Sequence, residues 1–154
     1  MLLREIIETD LRIIYEHQRD PEGCSMAVFK PRDEAAFFTH WKTKVLVGSN
    51  LVRTIVHEGK IAGYVSSYAM GDERFIAYWI GREFWGRGIA SEALREFVSN
   101  VDKHRPLDAI VAATNLGSAR VLEKAGFKAH SREVVDGVEE VSYRLSGPRH
   151  FTCT

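Results

Sequence analysis

The stretch from Tyr78 to Ser91, Tyr-Trp-Ile-Gly-Arg-Glu-Phe-Trp-Gly-Arg-Gly-Ile-Ala-Ser, carries the clearest chemistry in this sequence. An apolar run with strand character ends at Ile80. A loop follows in which Gly86 and Gly88 bracket Arg87, and then a helical pattern begins. Glycine tolerates positive φ and lets backbone N–H groups come close to a ligand. A helix start offers unpaired N–H groups at the positive end of the macrodipole, which favours an anion. Arg87, with Arg82 as a second candidate, adds charge-assisted hydrogen bonds to phosphate oxygens. The expected chemistry is phosphate or pyrophosphate recognition, with the owner of the phosphate left open.

Two common phosphate motifs do not fit. Gly81 and Gly86 have the glycine spacing of a P-loop, but Arg87 and Gly88 stand where its lysine and magnesium-binding hydroxyl belong. A dinucleotide fingerprint needs a third glycine where Ser91 stands, and a parallel βαβ context. A third pattern fits closely. Trp79-Ile80 through Leu94 resembles the acetyl-CoA loop of the GNAT superfamily of N-acetyltransferases, in particular the ribosomal-protein (Rim-type) branch with its W-I and F/Y-W-G-x-G-x-A-x-E-A-L. Asn115 through Phe127 resembles that branch's N-x-x-S-x-x-x-L-x-K-x-G-F. The general superfamily pattern [QR]-x-x-G-x-[GA] falls on Trp85, Gly88 and Ala90, so Trp85 replaces the usual Gln or Arg.

The resemblance implies roles. Ile80 and the end of its strand pair with the pantetheine arm of acetyl-CoA. The turn at Trp85 and the backbone N–H groups of Gly86, Arg87, Gly88, Ile89, Ala90 and Ser91 hold the pyrophosphate. Asn115 hydrogen-bonds the pantetheine where the sheet splays. Many family members protonate the coenzyme A thiolate with a tyrosine whose position is Leu122 here; a serine at the Ser118 position is proposed for that role in the Rim-like branch, so the resemblance implies Ser118 as hydrogen-bond donor to the thiolate. Ser118 also suits a plain helix cap. Glu73, on the strand leading into the loop, matches a strand that carries a glutamate base in several members. Glu139, Glu140, His130 and Tyr78 are further candidates, and Glu73 could equally be a solvated turn residue. Trp41 is expected at the acceptor wall, among aromatics that otherwise read as core.

These residues need elements to hold them. Leu2 to Ile7 reads as a strand, and Thr9 or Asp10 can cap a helix that stops before Pro21. Asp33 opens a second helix to about Leu46. Leu51 to His57, Ile61 to Tyr68 and Glu73 to Ile80 read as an antiparallel meander. Gly88 to Val101 is a helix, Leu107 to Ala113 a buried strand, and Ser118 to Ala125 a helix closed by Gly126. Phe127 to Val135 and Val138 to Leu145 flank the hairpin signal Asp136-Gly137. The expected class is α+β: a mostly antiparallel, GNAT-like sheet, splayed at the cofactor site and flanked by helices. One domain over 1–154 is expected, with an irregular tail from about 146.

Composition narrows the partners. In 154 residues, Lys+Arg 21 balance Asp+Glu 21, which disfavours a nucleic-acid surface. No apolar stretch is long enough for a membrane helix, and the N-terminus does not read as a signal peptide. Cys24 and Cys153 have no metal-ligand spacing and suit a reducing cytoplasm. The expectation is a cytoplasmic, metal-free enzyme that uses acetyl-CoA and a primary amine. A protein N-terminus leads as acceptor, with polyamines, aminoglycosides or amino-acid analogues as alternatives. A non-catalytic acetyl-CoA-binding module is the competing class. A homodimer is expected through an exposed edge at Val138 to Leu145.

Overall fold

The computed structural model describes residues 1–147, so the tail from 148 onward, Cys153 included, lies outside the described residues. Seven strands form one sheet in the order β1-β2-β3-β4-β5-β7-β6. They are β1 (Leu2–Glu5), β2 (Leu51–His57), β3 (Lys60–Met70), β4 (Glu73–Ile80), β5 (Leu107–Ala112), β6 (Lys128–Val135) and β7 (Val138–Leu145). Every neighbouring pair is antiparallel except β4 and β5. This is the expected α+β architecture, with the meander at β2–β4 and the hairpin at β6–β7.

The helices are α1 (Glu8–His17), α2 (Pro21–Ala27), α3 (Glu34–His40), α4 (Ile89–Glu96) and α5 (Leu116–Lys124). Wider π-type turns, Trp41–Val45 and Phe97–Val101, extend α3 and α4. Successive side chains of a strand point to opposite faces, and β3 and β4 divide the core accordingly. Val65 and Tyr78 face α4 and α5, with Ile76, Phe97, Leu107 and Leu122. Tyr64 and Trp79 face the N-terminal helices, with Leu11, Ile14 and Phe37.

Three local readings need correction. Asp10 does not sit at the cap of α1; from the first turn it reaches back to accept the Ile7 N–H at 3.0 Å. The helix α2 was not expected, although Asp20 caps it by accepting the Gly23 N–H at 3.1 Å and Pro21 stands at its first position. Gly23, Cys24 and Ser25 are weak helix formers, and they hid it. The edge strand is β6, exposed along its whole length, whereas β7 is covered by β5 on one side and β6 on the other. Asp33 caps α3 as expected, accepting the Ala36 N–H at 2.8 Å.

Candidate functional site

β4 and β5 run parallel yet share a single register pair, Phe75 with Asp108. Beyond it the strands diverge, and the opening becomes a cleft of about 530 Å³, within the size range of small-molecule sites. Tyr78, Trp79 and Ile80 line it from β4, and Asn115, Ser118 and Val121 from the α5 side. The loop and the start of α4 form one end, and α2 contributes Gly23, Met26 and Ala27. A side chain at Gly23 would approach the Trp79 ring to 3.1 Å, so glycine is what lets α2 close on β4.

The loop has the conformation its glycines suggest. Gly86 and Gly88 lie at φ +75° and +73° with open space where a Cβ would stand, so the requirement is backbone conformation rather than room. Gly88 starts α4, its carbonyl accepting the Glu92 N–H at 3.1 Å. Ile89, Ala90 and Ser91 precede the first intrahelical donor, and all three line the cleft, as an anion site requires. Trp85 donates its indole N–H to the Ile80 carbonyl at 2.9 Å and ties the loop to the strand end.

The charged side chains are arranged differently from the expectation. Arg82 is engaged with α2, at 2.6 Å from Glu22 and 3.5 Å from Asp20. Arg87 is exposed and outside the lining. The cations that do line the cleft are Arg120 and Lys124, four residues apart on α5. The sequence had marked neither, although both sit within the Asn115–Phe127 motif.

Across the opening, the Tyr78 hydroxyl lies 2.5 Å from Ser118 Oγ and 3.3 Å from the Ser118 carbonyl. Burial pushes the Tyr78 phenol up to about 12, with the Ser118 hydrogen bond opposing and Tyr143 adding to the rise. Tyr78 therefore keeps its proton near neutrality and cannot serve as a base. Asn115 caps α5 by accepting the Ser118 N–H through Oδ1 at 3.2 Å, which leaves its NH₂ as donor. The Asn115 cap thus fixes the backbone of Ser118, and Tyr78 engages its side chain.

Two expected site residues lie elsewhere. Glu73 begins β4, seven residues before Ile80, and at about 3.3 Å per residue that is roughly 23 Å away. It is exposed beside the Gly71-Asp72 turn, so its assignment as the base is withdrawn. Trp41 is 2% exposed, with its ring 5.7 Å from Phe37 and 4.8 Å from Tyr64. It closes the core beneath α3 and is not an acceptor wall. Glu139, Glu140 and His130 also lie outside the cleft lining. Among the described residues, no group of three or more His, Cys, Asp or Glu is placed to hold a metal ion. No described helix is long and apolar enough to cross a membrane.

Comparison with known proteins bears on the family and the fold. The acetyltransferase (GNAT) domain family model matches residues 1–128. A probable N-acetyltransferase, YjcK, of Bacillus subtilis is 46% identical over 77 residues, a match covering 47% of this chain and 39% of that protein. Among solved structures, a GNAT-family acetyltransferase from Bacillus anthracis superposes with TM-score 0.74 at 17% identity, over 94% of this chain and 93% of that one. The aminoglycoside acetyltransferase AAC(6')-Ib in complex with coenzyme A gives 0.74 at 20% identity, over 94% and 93%. A spermidine N-acetyltransferase SpeG chimera from Vibrio cholerae and hSSAT gives 0.75 at 14%, over 95% and 96%. At such identities the superpositions speak for the fold alone; with the match to the family model, they place the chain in the GNAT family of acetyltransferases.

Proposed function

We propose that the chain transfers an acetyl group from acetyl-CoA to a primary amine by direct attack in a ternary complex, and that the amine is a protein N-terminus. The observation carrying this reading is the splay of β4 from β5, which opens the cleft onto the first turn of α4. The unpaired N–H groups of Ile89, Ala90 and Ser91, with the left-handed Gly86 and Gly88, suit a pyrophosphate. Arg120 and Lys124 add positive charge along the same cleft. The Asn115 NH₂ holds the pantetheine. Backbone N–H groups at the splayed end of β4 stabilise the oxyanion formed when the amine attacks.

What favours this acceptor is the lack of a base: the cleft lining holds no carboxylate or imidazole to take the proton of the amine. An amine that deprotonates readily in water is then the better nucleophile, and an α-amine, with a pKa of about 8, meets that condition far better than a lysine-like amine near 10.4. A single domain, a cytoplasmic setting and a homodimer formed along β6 belong to the same reading.

The test has two stages. Acetyl-CoA at 100 times its dissociation constant should stabilise the protein by about 2.7 kcal/mol, whereas ATP and NAD leave its melting temperature unchanged. Thiol release should then be seen with peptides bearing a free α-amine, and not with spermidine or α-blocked lysine peptides. Binding without release for any amine would leave a non-catalytic acetyl-CoA module; release with spermidine alone would overturn the acceptor.

A further inference from the structure

Ser118 has a hydroxyl that rotates freely unless something fixes it. In this fold one side chain does. Tyr78, on β4, reaches across the splay and places its hydroxyl 2.5 Å from Ser118 Oγ. Both residues line the cleft. Leu122, where many family members carry a tyrosine donor by the resemblance above, is fully buried at 0% exposure among core residues and has no proton to offer. A donor for the leaving sulfur must therefore come from another side chain, and Ser118 lies one turn earlier on the same helix.

We infer that Tyr78 is the positioning residue of the leaving-group site: it donates its hydrogen bond to Ser118 Oγ and thereby turns the Ser118 proton into the cleft, toward the thioester sulfur. The inference rests on the acetyl-transfer reading. The amine nitrogen attacks the thioester carbon, the carbon–sulfur bond breaks, and its electron pair stays on sulfur. The proton shed by nitrogen goes to solvent, and the thiolate later takes one from solvent.

The pair stabilises the thiolate by hydrogen bonding and does not protonate it. A thiol has a pKa of about 8.5, and the Tyr78 phenol is pushed up to about 12 by burial. Transfer of the phenolic proton to sulfur would thus be unfavourable by roughly three orders of magnitude. A phenol so hard to ionise keeps its O–H, so a proton is available for donation to Ser118 Oγ, as a rotor lock requires. The other titratable groups near it are Tyr143, which raises it further, and the cations Arg120 and Lys124 along the cleft. Those cations also favour a thiolate, so the informative comparison is between variants that retain both.

The experiment is a pH titration of coenzyme A bound to the protein, followed by the ultraviolet absorbance of the thiolate, beside steady-state kinetics. Wild type should hold the bound thiol below the value of free coenzyme A titrated under the same conditions. Tyr78→Phe should return it upward by about one pH unit and lower kcat about tenfold, as expected for losing one hydrogen bond to a charged group. KM for acetyl-CoA should stay within about twofold, because the cofactor cradle is untouched. Ser118→Ala should do the same, and the double variant should be no worse than either alone.

Melting curves of all three variants establish that they fold. An unchanged thiol pKa and kcat in Tyr78→Phe, or losses that add in the double variant, would overturn this inference alone. Failure of wild type to bind coenzyme A would overturn the acetyl-CoA reading and take the inference with it.

Discussion

The two ends of the β4–β5 pair are opposites. At one end, near the start of β4, Arg74, Asp102 and Asp108 are buried and paired. Arg74 Nε lies 2.7 Å from Asp102 Oδ2, and the Ser67 hydroxyl donates to the same oxygen at 2.5 Å. Arg74 also donates to the Ser49 carbonyl at 2.8 Å, and Asp102 accepts the His104 N–H at 2.9 Å. Next to it, Arg144 grips Asp108 through two bonds of 2.8 and 3.1 Å. At the other end the strands separate, and the polar groups facing the gap are helix-start N–H groups, the Asn115 NH₂ and the Tyr78–Ser118 hydroxyls. Pinning one end of two twisted strands while parting the other yields a cleft whose walls do not collapse. Paired polar side chains hold the strands at one end, and helix-start N–H groups line the gap at the other.

The contrast breaks most severely at the pinned end. Asp102→Ala leaves the buried Arg74 without its carboxylate and should cost about 3–5 kcal/mol, lowering the melting temperature by on the order of 10 °C. Acetyl-CoA binding should weaken as a consequence of lost stability rather than lost contacts. A calorimetric scan with no shift would mean that the network does not pin the strands.

Acid weakens the same end more gently. Burial alone would push the Asp102 carboxyl up, but the Arg74, Ser67 and His104 hydrogen bonds outweigh it and hold it at about 2. The folded state therefore binds this proton less readily than the unfolded chain, where the pKa is about 3.9. The stabilisation is fully present above about pH 4 and is lost as pH falls toward 2. It amounts to at most about 2–3 kcal/mol. Denaturant melts of wild type across this window should show a fall of that size, and Asp102→Ala should lack it.

The two ends also differed in how legible they were. The cleft end is written in contiguous residues: the loop from Ile80 to Ser91 and the helix start at Asn115–Ser118 are short motifs whose types dictate local geometry. Gly86 and Gly88 adopt the left-handed conformation that no side chain would favour. The pinned end joins Ser49, Ser67, Arg74 and Asp102 from four segments, and no spacing along the chain announces that they meet. Glu73 was misplaced for a related reason. Its strand was identified correctly, but its position along that strand puts it at the wrong end. Trp41 was misplaced because helical periodicity marks a buried face without saying whether protein or ligand covers it; here Tyr64 covers it. Arg120 and Lys124 were readable in principle, since they share a helix and a motif with Ser118. A balanced net charge over the whole chain carries no information about such a local pair of cations.

At the open end, Gly88→Ala sharpens the contrast. The site has room for a methyl group but lies at φ +73°, so the cost is the roughly 1–2 kcal/mol of a left-handed conformation. Relaxation of the loop to avoid it would turn the first N–H groups of α4 and weaken acetyl-CoA binding about tenfold. Titration of acetyl-CoA against the variant's melting temperature reads both effects. Unchanged affinity would remove the helix start from the phosphate site.

The smallest stability effect belongs to Ser118→Ala, and it is the most telling. The hydroxyl of Ser118 has Tyr78 as its side-chain partner, while the backbone N–H that receives the Asn115 cap remains in the variant. The Tyr78 hydroxyl also keeps the backbone carbonyl of residue 118, at 3.3 Å, as an acceptor. Removing Oγ should therefore shift folding stability by less than about 1 kcal/mol. That is a fraction of the loss expected for Asp102→Ala, though each change deletes a polar group bridging strand and helix. Activity should run the other way. Ser118→Ala should lose turnover out of proportion to its stability, whereas Asp102→Ala should lose activity only as it unfolds. Measuring kcat well below both melting temperatures separates the two. If Asp102→Ala is the slower enzyme when fully folded, the pinned end shapes the chemistry directly, and dividing the strand pair into a structural end and a reactive end fails.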